Sequence, residues 1–191
     1  MPTPNTAAFE FLRTRRSRPP KSLTGPVPSR DDLRPLLEIA ARTPDHGMLV
    51  PWRFLVIEPA AMPKLAALAD ACATALDLDD EKRAKGRGQF DLGNLVVVVI
   101  ASPKISDKIP PMEQTLSAGA VCLSLVNAAL AAGWGAGWVT GWVSHDAGFA
   151  EGLGLAPTEW IAGIVHIGTE TAIPPDRARP DIDAITTWID T

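Results

Sequence analysis

Hydrophobic positions along this chain fall into two rhythms, helical and strand-like, and their alternation predicts most of its elements. Leu33, Leu36, Leu37, Ala40 and Ala41 repeat at the spacing of one buried helix face. Ser29, with Asp32 three residues on, predicts that helix's N-terminal cap, and Pro44 predicts its end, since the residue before a proline is pushed out of helical geometry. A shorter helix is expected over 5–14, with Ala8, Phe11 and Leu12 at helical spacing and basic residues toward its end. The Pro-rich stretch 19–28 reads as a linker. Residues 52–58, aromatic and β-branched, predict a strand, and 60–76 predict a helix begun near Pro63.

Residues 77–89 are so charged that they read as a mobile connection. The run Val96-Val97-Val98-Val99-Ile100 within 94–101 has no polar alternation, which predicts a strand buried on both faces near the centre of a sheet. After a Pro-containing loop at 103–111, a long helix is expected over 112–132. A glycine-rich segment, 133–137, leads to a strand over 138–143. Ser144 then caps a short helix, 160–168 form another buried strand, and Asp181 caps a last short helix carrying Ile182, Ile185 and Trp188. Helices alternating with strands in this order predict four or five strands enclosed by helices, in a single domain over 1–191.

Composition narrows the function classes. A chain of 191 residues with net charge −4 has no clustered basic excess, which argues against nucleic acid as a partner. The longest apolar tract, 116–134, is interrupted by Ser117, Ser124 and Asn127, so a core helix is expected there rather than a membrane span. No uninterrupted apolar run precedes Arg13, so a cytoplasmic location is expected. Cys72 and Cys122 lie far apart in apolar helical stretches and read as reduced, buried thiols. The three histidines lack zinc-motif spacing, and no metal is expected.

Local charge is more informative than net charge. Arg15-Arg16-Ser17 puts two guanidinium groups and a hydroxyl at the end of the first helix, a combination suited to a phosphate, although alone the tract reads first as a solvated basic helix end. Arg42 ends the amphipathic helix, where a cation suits the terminal carbonyls, and His46 follows in the turn Arg42-Thr43-Pro44-Asp45-His46 before Pro51-Trp52. Gly133-Trp134-Gly135-Ala136-Gly137 is not a dinucleotide fingerprint, because these glycines end a helix and lead into a strand. Arg177-Ala178-Arg179-Pro180 adds a second basic pair near the end of the chain.

Taken together, these segments resemble the FMN-dependent nitroreductase family, in particular its small bacterial branch. The resemblance extends from about residue 9 to 188 and implies an α+β fold with a central mixed sheet. It implies FMN as cofactor, NAD(P)H as reductant, and a small electron-poor acceptor reduced in a ping-pong cycle. It also implies a homodimer with FMN at the subunit interface. By position it carries flavin contacts onto Arg15, Arg16, Ser17, Arg42, His46, Trp138, Val139 and Thr140, with Arg177 and Arg179 as further phosphate ligands. Relatives often carry Gln where this chain has Val50, Lys where it has Gly47 and Arg where it has Val139, which implies a more apolar pocket here. Two competing readings remain at this level: a flavin-binding or redox-sensing module without turnover, and a structural protein whose arginines take up an incidental anion.

Overall fold

A computed structural model describes residues 2–190. Helix α1 (Thr6–Thr14) starts where Asn5 Oδ1 accepts the Ala8 N–H at 3.1 Å, and it buries none of its residues. The stretch read as a linker contains a two-residue strand, β1 (Leu23–Thr24). Helix α2 (Arg30–Ala40) has the expected capping box, in which Ser29 and Asp32 each bond the other's backbone N–H. Leu33, Leu36 and Ala40 are its buried residues; Leu37 is only half-buried and Ala41 is exposed, so the buried face is narrower than the periodicity predicts.

Strand β2 (Trp52–Ile57) is followed by two helices, α3 (Met62–Ala75) and α4 (Asp80–Asp91). The charged connection is therefore ordered helix. Asp79 caps it by accepting the Lys82 N–H at 2.8 Å, Lys85–Glu81 and Arg87–Asp91 pair one turn apart, and Arg83 grips Asp70 of α3 through two hydrogen bonds of 2.7 and 2.9 Å. Inward it needs only Gly86 and Phe90. A Cβ at Gly86 would lie 2.3 Å from the Trp142 ring, and Trp142 Nε1 donates to Lys82 O at 2.8 Å.

Strand β3 (Leu95–Ala101), helix α5 (Pro111–Ala131), strand β4 (Gly135–Val139), helix α6 (Ala147–Gly152) and strand β5 (Trp160–Glu170) complete the domain. Strand β4 occupies the glycine-rich segment itself, earlier than expected, because Gly135 and Gly137 pair with Gly168 and His166 of β5. Asp146, not Ser144, caps α6, accepting the Phe149 N–H at 2.6 Å. Near the end, Asp181 accepts the Asp183 N–H at 3.1 Å, but only a single turn over Asp183–Ile185 forms, and Trp188 lies beyond it, exposed.

Every strand pairing among the described residues is antiparallel, so the sheet is not mixed. Between β2 and β3 the direction follows from α3 and α4, two passes that return the chain for an antiparallel partner; β4 and β5 are antiparallel across the short helix α6. Strand β5 is the hub, paired with β3, β4 and β1, and β3 separates it from β2.

Successive β3 residues feed opposite faces of the sheet. Val97 and Val99 join Leu33, Leu36, Val121, Leu125 and Val165 under α2 and α5; Val96 and Val98 join Met62, Leu65, Phe90, Phe149 and Ile164 under α3, α4 and α6. Helix α5 is long and apolar enough to cross a membrane, yet it packs Val121, Cys122, Leu125 and Val126 into that core. Both cysteines are free and buried, and burial pushes the Cys122 thiol up to about 12.

Two ionisable groups, the buried His166 and the half-buried Glu159, contribute to the acid response. Burial drives His166 down from 6.5 to about 4, leaving it neutral. The Arg53 guanidinium, at 2.7 Å from each Glu159 carboxylate oxygen, holds Glu159 down from 4.5 to about 2. In both cases the unfolded chain binds more protons than the folded one, so stability falls as pH falls. The loss begins between about 6.5 and 4 through His166 and continues between about 4.5 and 2 through Glu159. Urea unfolding midpoints followed from neutral to acid pH will show both limbs, and His166→Leu will flatten the upper one. A wild-type midpoint level down to about pH 4 would contradict the His166 contribution.

Candidate functional site

The end of α1 delivers Arg15, Arg16 and Ser17 to the outer side of β4, where the Arg18 N–H donates to Ala136 O at 2.7 Å. Gly137 makes this approach possible: a Cβ there would lie 2.2 Å from Arg18 O. Arg18 is committed to structure through its ion pair with Glu170 and a 2.7 Å bond to Arg16 O. The remaining cations line a cavity of about 240 Å³ together with Ser17, Pro19, Gly137, Trp138 and Val139: Arg15 and Arg16 from the α1 loop, and Arg177 and Arg179 from the C-terminal segment.

These charges are not neutralised internally. Arg15 Nη1 donates to Asn127 Oδ1 at 3.0 Å, and burial, followed by the fields of Arg179 and Arg16, lowers its pKa. Arg16 Nε is buried without a hydrogen-bond partner and stands 3.9 Å from Asp176 Oδ1, beyond bonding range. Asp176 is the one carboxylate ion-paired to this group among the described residues, and it already accepts from Arg179 at 3.0 Å. Four guanidinium groups facing one exposed carboxylate make a receptor for a dianion.

Pro19 and Val139 are shared with a second cavity of about 500 Å³, bounded by Thr140, Gly141 and Trp142 on one side and by Ala84, Lys85, Gly88, Gln89 and Leu92 of α4 on the other. Its lining is predominantly apolar. The first cavity alone is below the roughly 300–1,000 Å³ of small-molecule sites, whereas the two joined fall within it. A larger cavity, about 880 Å³, lies between α2 and β2, but its lining carries Asp31, Glu38 and Glu58 against Arg30 and Arg34, and Arg30 is paired with Glu58 at 2.6 Å. Chemistry rather than size therefore selects the site.

Comparison with known proteins gives the family and the fold. Residues 12–169 match the family model described as "Nitroreductase family". The chain belongs to the nitroreductase family. Two relatives named "Putative NAD(P)H nitroreductase" share this lineage. The Haemophilus influenzae protein is 37% identical over 164 residues, covering 85% of this chain and 88% of its own length. Escherichia coli YdjA is 32% identical over 162 residues, covering 85% and 87%. A nitroreductase-like family protein from Bacillus cereus superposes with a TM-score of 0.83 at 26% identity, covering the whole of both chains. A Desulfovibrio desulfuricans protein solved in complex with FMN superposes at 0.75 and 19% identity, over 99% and 100%, and shows the same fold.

Of the residues that the nitroreductase resemblance picks out, Arg15, Arg16, Ser17, Trp138, Val139, Arg177 and Arg179 converge on the cationic cavity, and Thr140 lines the adjoining one. Arg42 and His46 are not brought there within one chain. Arg42 is exposed beyond α2, and His46 Nδ1 lies 2.7 Å from Glu113 Oε2. Their turn is held by Asp45, whose carboxylate accepts the Leu49 and Val50 N–H groups at 3.2 and 2.8 Å. That grip keeps Val50 at φ 48, a costly conformation for a β-branched residue, with its side chain outward. Arg18 also lines the cationic cavity and Gln89 the apolar one. Arg18 adjoins the Arg-Arg-Ser tract, whereas nothing local marks Gln89.

Proposed function

We propose that the protein is an FMN-dependent oxidoreductase that uses NAD(P)H to reduce nitroaromatic, quinone or similar electron-poor acceptors in a ping-pong cycle. The observation that carries this reading is the paired cavity: unneutralised arginines, with Arg16 Nε unpaired, joined at Pro19 and Val139 to an apolar chamber. A flavin mononucleotide has that division, a phosphate arm and a flat ring. The relatives' names supply the nicotinamide reductant.

Arg15, Arg16, Arg177 and Arg179 would hold the phosphate, with Ser17 as a hydroxyl donor. Trp138, Val139 and Thr140 would bound the ring, and α4 would exclude water from its far side. When bound, FMN supplies the two-electron centre that takes hydride from NAD(P)H and passes it to the acceptor. The protein's part is orientation and charge: fixed donors beside the ring favour the extra negative charge of the reduced state. No side-chain acid or base is assigned.

A homodimer fits the surface. Helix α1 leaves Phe9 and Leu12 exposed, and the C-terminal segment leaves Ile182, Ile185, Trp188 and Ile189 uncovered. A second copy would cover such surface, and would bring Arg42 and His46 toward the partner's flavin. A cytoplasmic location is consistent with the reduced thiols and the core position of α5.

Anaerobic addition of NADH or NADPH to FMN-loaded protein will bleach the flavin absorbance, and a nitroaromatic or quinone will restore it. Colour that persists with both nucleotides would leave a flavin-binding module and reject the enzyme.

A further inference from the structure

We propose that a third cavity, between the turn at 144–147 and the start of β5, binds the primary ammonium group of a small organic amine. It measures about 330 Å³, within the range of small-molecule sites, and shares no lining residue with the cationic and apolar cavities. Its occupant is therefore a second ligand, whatever fills the other two.

Ser144 lines this cavity and is 6% exposed. Its N–H donates to Gly141 O at 3.0 Å, whereas its Oγ is buried without a hydrogen-bond partner. An unbonded buried hydroxyl lowers stability, so one kept in a cavity wall points to a ligand that completes it. Asp146 stands two residues on in the same wall. Its Oδ2 accepts the Phe149 N–H at 2.6 Å, and it forms no ion pair among the described residues. Glu159 also lines the cavity but is already paired with Arg53 at 2.7 Å. With no Lys or Arg in the lining, the cavity is left with the uncompensated charge of Asp146 and calls for a cation.

A metal ion does not suit this wall, because no three His, Cys, Asp or Glu side chains among the described residues are placed to hold one. An ammonium group does. It has three N–H donors, of which Asp146 accepts one with charge assistance and the free Ser144 Oγ accepts another. Trp160, 41% exposed, offers the cation an aromatic face, and Ala147, Ala150 and Ile161 bed the carbon chain.

Isothermal titration of the full-length protein with n-butylammonium, and with 1-butanol as its uncharged counterpart, tests this assignment. The amine will bind saturably at one site per chain, and the alcohol on the order of tenfold more weakly or less. Asp146→Asn will weaken the amine about tenfold, and Ser144→Ala about threefold to tenfold. Asn also serves as a helix cap, so D146N should fold, which thermal melts will check. Where it does not, S144A decides alone, since the hydroxyl it removes bonds nothing in the protein. Equal binding of amine and alcohol, the absence of saturable binding, or an affinity unchanged in S144A overturns the proposal and leaves the flavin reading untouched.

Discussion

Replacing Arg15 and Arg16 together by Ala will remove most of the protein's preference for FMN over riboflavin. The two flavins differ only in the phosphate, so the comparison isolates the anion grip from every ring contact. Charge-assisted hydrogen bonds contribute on the order of 1.5–3 kcal/mol each, which puts the combined loss at a hundredfold in affinity or more. The buried, unpaired Arg16 Nε and the lowered Arg15 pKa identify these as the groups that gain most from an anion. Arg177→Ala with Arg179→Ala will cost less, because Arg179 is half exposed and already engaged by Asp176. The fold will persist, since α1 buries nothing. Riboflavin affinity should barely change. An undiminished preference for FMN in the double variant would remove the tract from the site.

Phe90→Ala will lower stability by about 3–5 kcal/mol, a large part of the 5–15 kcal/mol typical of a domain. Phe90 is 1% exposed and stacks on Phe149 with ring centroids 5.4 Å apart. It is one of only two buried residues on α4, and the other, Gly86, contributes no side chain. Truncation therefore opens a cavity where α4 is attached and leaves the helix to its surface ion pairs and the Trp142 contact. At roughly 2–4 °C per kcal/mol for a chain of this size, the melting midpoint should fall by about 6–20 °C. Flavin affinity should fall with it, because α4 forms one wall of the apolar cavity. A melting shift of a degree or two would mean that α4 is held by its charges instead.

That helix also shows where sequence reasoning stopped. Helix α2 and strand β3 were legible because their apolar residues repeat at a local period, and the fold used Leu33, Leu36, Ala40 and the valine run as the pattern predicts. Helix α4 has one large apolar residue in twelve, so periodicity is silent, although Asp79 as cap, Asp80 and Glu81 in the first turn and two i,i+4 ion pairs spell a helix in charge. It is also the second pass between β2 and β3, which pair antiparallel where the family resemblance implied a mixed sheet. The candidate site divides the same way. Arg15 to Ser17, Trp138 and Val139 were recoverable from a family pattern, and the fold joins them to Arg177 and Arg179. Gln89 has no sequence signature because the residues that share its cavity, Val139 and Gly141, lie far from it in the chain.

The attachment of the arginine tract to the sheet decides when the site comes into being. Arg18 bonds Ala136 and Glu170, the latter 152 residues away, and Thr171 bonds Ser22 across 149 residues. On the ribosome, residues 15–22 leave the exit tunnel early and then wait without a docking surface until β4 and β5 have followed. A pulse of nascent chains halted before β5 would therefore hold α2, α3 and α4 without an anion grip. Cofactor uptake therefore waits for β5 and for the segment carrying Arg177 and Arg179 that follows it.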